Sequence, residues 1–174
     1  MITKDRQYRA FDFEVKDEEM IVEGMPIVYD VPTVLFEIDG VKYYEVVDRN
    51  ALKNADLSDV VFVENHEGTP GARTRNKTLE LTDTASGMFM RSNLSKSSKG
   101  PSMYSDIKNG IYDKMSFSFI VRKDSYDKET RTRRILEIER LFDVSCVTFA
   151  AYHQTSISAR SFFEAEAEKE LLEK

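Results

Sequence analysis

The segment 114–121 constrains the fold more than any other part of the chain, because apolar and small polar residues alternate along it. Alternate side chains of a β-strand point to opposite faces of a sheet. We expect one face of this strand to carry Met115, Phe117, Phe119 and Val121. We expect the other face to carry Ser116, Ser118 and Ile120. A serine on such a strand is held rigidly, as a nucleophile must be, although a half-buried strand whose serines face water gives the same pattern.

The rest of the chain is also rich in predicted strands. Alternation and β-branched residues predict them at residues 8–15, 21–29, 34–38, 41–47, 60–63, 77–82, 88–94, 133–141 and 144–149. Asp39-Gly40 is typical of a hairpin turn, and the glycines and proline at 68–71 predict another turn. Short helices are predicted at 49–55 and 103–108, with a mobile loop at 93–102.

This pattern predicts an α+β fold that is mostly β, with peripheral helices around a closed mixed β-barrel. The length of 174 residues suffices for one core, and neither an internal repeat nor a linker divides the chain. We therefore expect one domain over residues 1–161. The residues 162–174 are acidic and helix-prone, so we expect them to form a helical C-terminal tail.

The charge balance excludes several classes of partner. The net charge is −6 and the isoelectric point is about 5.1, and the sequence has no basic patch that would favour nucleic acid or a membrane surface. No apolar run approaches the ~20 residues that span a bilayer, and the first residues lack the apolar stretch of a signal peptide. We therefore expect a cytosolic protein that binds neither nucleic acid nor membrane.

Metal and cofactor chemistry are not predicted either. The two histidines and the scattered carboxylates do not have the spacing of a zinc protease, and neither common glycine-rich phosphate loop is present. The single cysteine, Cys146, lies in an apolar predicted strand, where we expect a buried, unreactive thiol; a cysteine nucleophile is the weaker alternative. We therefore expect no metal and no cofactor.

Hydrolysis by a serine requires a base within hydrogen-bonding reach and a third group that orients that base. An imidazole base must be His66 or His153, the two histidines of the chain. His66 follows a predicted strand and precedes a glycine- and proline-rich stretch, where scaffolds present side chains to clefts, although a surface histidine fits as well. For the acid, Asp143 lies in an apolar segment and would need a partner there, although a turn acid fits equally well. Glu139 is the second candidate.

Four segments together resemble a known family. They read Tyr-Glu-Val-Val-Asp-Arg-Asn-Ala-Leu at 44–52, Asn-His-Glu at 65–67, Lys-Met-Ser-Phe-Ser-Phe at 114–119 and Leu-Phe-Asp-Val-Ser-Cys-Val-Thr-Phe-Ala-Ala-Tyr at 141–152. In this order they are similar to the motifs of the tailed-bacteriophage prohead maturation proteases. These are serine proteases of capsid assembly, with a fold related to that of the herpesvirus assemblin proteases. The likeness extends over residues 11–160.

The resemblance implies a role for each of three residues. His66 matches the catalytic histidine of the family, Ser116 its nucleophile, and Asp143 the acidic position before Val-Ser. Ser118 and Ala150 depart from the family, since many relatives have Gly and Pro at these positions, and Ser118 would crowd the strand. The arginines near the oxyanion site of herpesvirus relatives have no counterpart here, so backbone N–H groups are the expected donors.

The resemblance further implies the substrates and the place of action. It implies a serine endopeptidase that cleaves the phage major capsid protein, scaffold segments and itself during prohead maturation. The enzyme would act in the host cytoplasm, inside the assembling prohead, and self-association is a further expected property. The alternative is a non-catalytic, β-rich domain that is associated with the scaffold or is a structural part of the virion.

Overall fold

The computed structural model describes residues 7–16, 19–149 and, near the C-terminus, 165–173 except 167 and 170. Within this part of the chain the strands are β1 (Gln7–Lys16), β2 (Ile21–Val28), β3 (Thr33–Ile38), β4 (Val41–Val47), β5 (Val61–Glu64), β6 (Glu67–Arg73), β7 (Leu79–Asp83), β8 (Gly87–Asn93), β9 (Lys114–Asp127) and β10 (Thr132–Val147). The helical elements are a 3-10 helix (Leu94–Lys96), α1 (Gly100–Lys108) and helical residues between 165 and 172. The prediction of a mostly β chain with few helices is confirmed.

The hairpin predicted around Asp39-Gly40 is also confirmed. β3 and β4 pair in antiparallel fashion on either side of these two residues. Asp39 and Gly40 have φ angles of 51° and 80°. Two successive left-handed residues give the backbone twist that joins two strands tightly, and glycine adopts this conformation without steric cost.

The long strand β10 organises the sheet. The strand order is β3-β4-β10-β9-β1-β2-β8-β7, and β5 pairs with both β10 and β6. β10 is antiparallel to β9 along its length. It is parallel to β4 through its first residues and parallel to β5 through its last residues. This arrangement brings the end of β5 beside the residues of β10 that lie opposite the start of β9.

The sheet is not closed into a barrel, so the predicted closed β-barrel is wrong. Among the described strands, the path of neighbours ends at β3 and at β7, and these two strands do not pair with each other. The physical reason lies in β10, because β4 and β5 occupy successive parts of the same edge of that strand. The sheet therefore branches at β10 instead of curving back on itself.

The hydrophobic core covers one face of the β9–β10 ladder. Met115, Phe117 and Phe119 are fully buried, as their alternation predicts, and the rings of Phe117 and Phe119 stack with centroids 4.9 Å apart. Val144 lies opposite Phe117 and Cys146 opposite Met115, and both are fully buried. Burying one large apolar side chain contributes roughly 1.5–3 kcal/mol. This packing leaves the other face of the ladder for the small polar residues.

Residues 49–55 differ from the prediction of a short helix. They form successive turns in which the N–H groups of Ala51, Lys53 and Ala55 bond to the carbonyl three residues earlier, at 2.9–3.2 Å. The Asp48 side chain also accepts from the Asn50 N–H at 2.9 Å. Asp48 therefore caps a turn, as an N-cap residue would, but the turn does not continue as a helix.

The sequence predicts a mobile loop at residues 93–102, but these residues form the end of β8, the 3-10 helix, a short bend and the start of α1. Leu94 is fully buried. Ser97 Oγ donates to the Gly71 carbonyl and accepts from the Gly100 N–H, each at 2.8 Å. These contacts fix the segment against β6.

No helix within the described residues has the length and apolar character needed to cross a membrane.

Candidate active site

His66 lies in the tight turn that joins β5 to β6. Asn65 and His66 have φ angles of 47° and 64°, and non-glycine residues seldom adopt this left-handed conformation. Two hydrogen bonds hold the turn against the end of β10. The Asn65 N–H donates to the Cys146 carbonyl at 2.9 Å, and the His66 N–H donates to Ser145 Oγ at 3.0 Å. The imidazole is therefore fixed relative to β10.

Three of the residues predicted for the site meet beside this turn. Nε2 of His66 lies 2.9 Å from Ser116 Oγ. Nδ1 of His66 lies 2.6 Å from Asp143 Oδ1. The serine comes from β9 and the aspartate from β10, which are neighbours in the sheet. A hydroxyl, an imidazole and a carboxylate from three separate segments thus form one hydrogen-bonded chain.

A β-bulge in β10 turns Asp143 toward the imidazole. Leu141 lies opposite Phe119 and Asp143 lies opposite Ser118, with a register shift between the two pairs. In a regular strand, residues 141 and 143 would lie on the same face. The extra residue, Phe142, instead leaves Leu141 in the core and places Asp143 on the polar face of the ladder. Bulges often re-aim a side chain in this way.

The Asp143 carboxylate is fully buried, and both of its oxygens accept hydrogen bonds. Oδ2 accepts from Ser118 Oγ. Oδ1 accepts from Ser145 Oγ at 2.8 Å, in addition to its contact with the imidazole. These donors compensate the cost of removing a carboxylate from water. Ser118, which was expected to crowd the strand, lies in register opposite Asp143 and supplies one of them.

The chemistry that this arrangement allows is nucleophilic attack by the serine. The imidazole can accept the proton of the Ser116 hydroxyl, and the carboxylate can stabilise the imidazolium that results. Ser116 is 1% exposed and the His66 side chain is 9% exposed. Across the described part of the chain, no group of histidine, cysteine and carboxylate side chains is arranged to hold a metal ion.

The other candidate residues lie elsewhere. Glu139 is exposed on β10, and the imidazole contacts Asp143 instead. Cys146 is buried on the core face of β10, and burial raises the pKa of its thiol far above the usual value. A thiol with a raised pKa is a poor nucleophile at neutral pH. His153 lies outside the described residues.

Two residues of the site were not predicted as site residues. Ser118 was predicted to share the polar face of the strand with Ser116 and was noted as a departure from the family, and Ser145 was not singled out. Each lies two positions after a predicted site residue, Ser118 after Ser116 and Ser145 after Asp143. Residues two apart on a strand share a face. A small polar residue two positions after a predicted site residue could therefore have identified Ser118 and Ser145 as part of the site.

The chain matches a model of a known protein family. The model described as caudovirus prohead serine protease matches residues 7–170 of the 174. No similarity was found to a curated protein or to a solved structure. The match covers nearly the whole chain and confirms the resemblance to prohead proteases. With a serine, an imidazole and a carboxylate in one hydrogen-bonded chain, and with this match, the chain belongs to the caudovirus prohead serine protease family and is a serine peptidase.

Proposed function

We propose that this protease cleaves peptide bonds with Ser116 as the nucleophile, His66 as the general base and Asp143 as the acid that orients the imidazole. One observation carries the proposal. His66 lies between the other two side chains, with its Nε2 2.9 Å from the hydroxyl and its Nδ1 2.6 Å from the carboxylate. Membership of a serine protease family supports the same chemistry.

The contact with the carboxylate determines which imidazole nitrogen carries the proton. An ionised carboxylate can only accept hydrogen bonds, so the Nδ1 of His66 must donate to Asp143. Nε2 then carries a lone pair that faces the Ser116 hydroxyl and can take its proton. This tautomer is the one that a general base requires.

The reaction follows from these positions. The Ser116 oxygen attacks the carbonyl carbon of the scissile peptide bond while its proton passes to Nε2 of His66, and Asp143 stabilises the imidazolium. The C–N bond then breaks, and the imidazolium gives its proton to the leaving amine, which leaves an acyl group on Ser116. A water molecule that is deprotonated by His66 hydrolyses this ester. Backbone N–H groups are the donors that we expect to stabilise the oxyanion.

We propose that the substrates are the phage major capsid protein, scaffold segments and the protease itself. Cleavage would take place inside the assembling prohead in the host cell. The family description, a prohead serine protease of caudoviruses, supports these substrates and this location.

Substrate binding requires an opening of the site, because Ser116 is 1% exposed in the form described here. The surface cleft lined by Pro32, Tyr44 and Arg134 does not provide this access, because it lies near the β9–β10 turn, at the opposite end of β9 from Ser116. We therefore expect the rate at which a fluorophosphonate labels Ser116 to rise at low, non-denaturing urea concentrations, as local opening becomes more frequent. A labelling rate that is unchanged or lower in urea would contradict this expectation.

The function is tested by co-expressing the chain with the capsid and scaffold proteins of the same phage. We expect Ser116→Ala to abolish processing, because it removes the hydroxyl that is proposed to form the acyl-enzyme. Ser125→Ala is the matched control, since Ser125 is an exposed serine on the same strand, and it should process normally. Processing by a folded Ser116→Ala protein would overturn the proposal and favour a structural role for the domain.

A further inference from the structure

We infer that Ser118 and Ser145 are positioning residues, which clamp the Asp143 carboxylate in the orientation that the base needs. This inference rests on the proposed function of His66, Ser116 and Asp143. Both serines act through the acid, and the Ser145 hydroxyl also contacts His66, at its backbone N–H and, at 3.3 Å, at Nδ1.

The two hydroxyls fix the rotation of the carboxylate. Ser118 Oγ donates to Oδ2 of Asp143, and Ser145 Oγ donates to Oδ1. Because Asp143 is fully buried, a lost donor is not replaced readily by bulk water. With one serine hydroxyl on each oxygen, the plane of the carboxylate is set, and Oδ1 is directed at Nδ1 of His66. Without these donors, the carboxylate could turn about its Cβ–Cγ bond and lengthen the contact with the imidazole.

Ser145 has a second role, because its hydroxyl both donates and accepts. Its Oγ donates to Asp143 and accepts from the His66 N–H at 3.0 Å. His66 has a φ of 64°, a conformation that costs energy for a residue with a Cβ atom. The bond to Ser145 helps to hold that conformation. One hydroxyl therefore sets both the backbone of the base and the side chain of the acid.

The chemical nature of the donors matters as much as their position. A serine hydroxyl is neutral, so it orients the carboxylate without cancelling its negative charge. A lysine or arginine at either position would form an ion pair with Asp143 and reduce the charge available to stabilise an imidazolium. The buried pair of serines thus supports the acid and leaves its electrostatic role intact.

The test measures how fast a fluorophosphonate labels Ser116 in the full chain. In this step the Ser116 oxygen bonds to phosphorus, fluoride leaves, and the proton passes to His66. We expect Ser118→Ala and Ser145→Ala to lower the maximal labelling rate about 10- to 100-fold, as for a lost hydrogen bond to a charged group. Ser145→Ala should show the larger loss. The probe concentration at half-maximal rate should not change, because both serines are fully buried beneath the reacting groups.

The matched control is Ser92→Ala. Ser92 is also a fully buried strand serine, and its hydroxyl donates to the Val22 carbonyl at 3.2 Å. It lies on β8, away from the site, so this variant should label at the wild-type rate. Ser118→Thr and Ser145→Thr keep the hydroxyl and should restore labelling. Where an alanine variant does not fold, the cysteine variant keeps the volume with a much weaker donor and carries the same prediction.

A double variant separates positioning from a merely structural role. If Ser118 acts through Asp143, then Ser118→Ala should cause no further loss of labelling in the Asp143→Ala background. Equal losses in both backgrounds would overturn the inference, and so would serine variants that label at the wild-type rate. Failure of the proposed function would look different, because the wild-type chain itself would then not be labelled at Ser116, and the inference would fall with it.

Discussion

The β9–β10 hairpin buries a carboxylate near each of its ends, and the two have different partners. Near the start of β9, the oxygens of Asp143 accept from two serine hydroxyls and an imidazole. Toward the hairpin turn, Glu45 of β4 is 2% exposed and faces Arg133 Nη1 at 3.6 Å. The same guanidinium donates to Asp124 at 2.7 Å.

The difference shows how one ladder can serve both chemistry and stability. A guanidinium stays charged at every relevant pH and neutralises a carboxylate permanently. That is suitable for Glu45, which only needs compensation for its burial. The hydroxyls of Ser118 and Ser145 satisfy hydrogen bonds of Asp143 without bringing a permanent positive charge beside it. Only the arrangement around Asp143 provides an acid that can stabilise an imidazolium during a reaction.

The largest expected effect comes from removing the charge of Asp143. Asp143→Asn keeps the size of the side chain, but the amide can donate to Nδ1 and stabilise the wrong tautomer of His66. We expect fluorophosphonate labelling of Ser116 to slow roughly 10⁴-fold, by analogy with the same change in other serine proteases. Circular dichroism should show a folded protein. Labelling within a few-fold of wild type would show that the charge of Asp143 has no catalytic role.

The second prediction concerns the other buried carboxylate. Arg133→Met removes the guanidinium that faces Glu45, and breaking a buried pair costs about 3–5 kcal/mol of unfolding free energy. The double variant Arg133→Met with Glu45→Met should recover most of that loss. Denaturant unfolding measures both values. The labelling rate per folded molecule should stay at the wild-type level, and a large change in that rate would mean that the two ends of the ladder are coupled.

The smallest effect is expected at the partly exposed ion pairs beside this region. The hydrogen bond from the Asn50 N–H contributes most to lowering the pKa of Asp48, and the Arg134 guanidinium lowers that pKa to a smaller extent. A lowered pKa means that the stabilisation is present above about pH 4, the unfolded value, and is lost as pH falls through the folded value. At pH 6, Asp48→Asn should therefore unfold more easily by less than about 1 kcal/mol. The difference should shrink at pH 3, and an equal difference at both pH values would contradict this assignment.

Local patterns in the sequence predicted several features correctly. The alternation around Phe117 gave the core face of β9, since packing and strand periodicity act over a few residues. Asp39-Gly40 gave a hairpin because the turn needs only two left-handed residues. The family motifs pointed to His66 and to the two residues whose side chains contact its imidazole, Ser116 and Asp143.

Features that depend on distant pairing were not predicted. The branching of the sheet follows from β10 pairing in parallel with both β4 and β5, and no local signal specifies such partners. If β10 had no bulge, the alternation of side chains along the strand would place Asp143 on the same face as Leu141. The glycines and proline at 68–71 predicted a turn, yet they lie in β6, which among the described strands pairs only with β5. Pro70 is tolerated there because an edge strand does not need every N–H.

The proposal that His66 activates Ser116 is tested most directly by mapping the fluorophosphonate adduct with mass spectrometry in the wild-type chain and in His66→Ala. We predict one adduct on Ser116 in the wild-type protein. In His66→Ala we predict labelling slower by roughly 10⁴-fold or more, because the hydroxyl loses its base. An adduct on a different serine, or equal labelling of Ser116 in both proteins, would contradict the proposal that His66 activates Ser116.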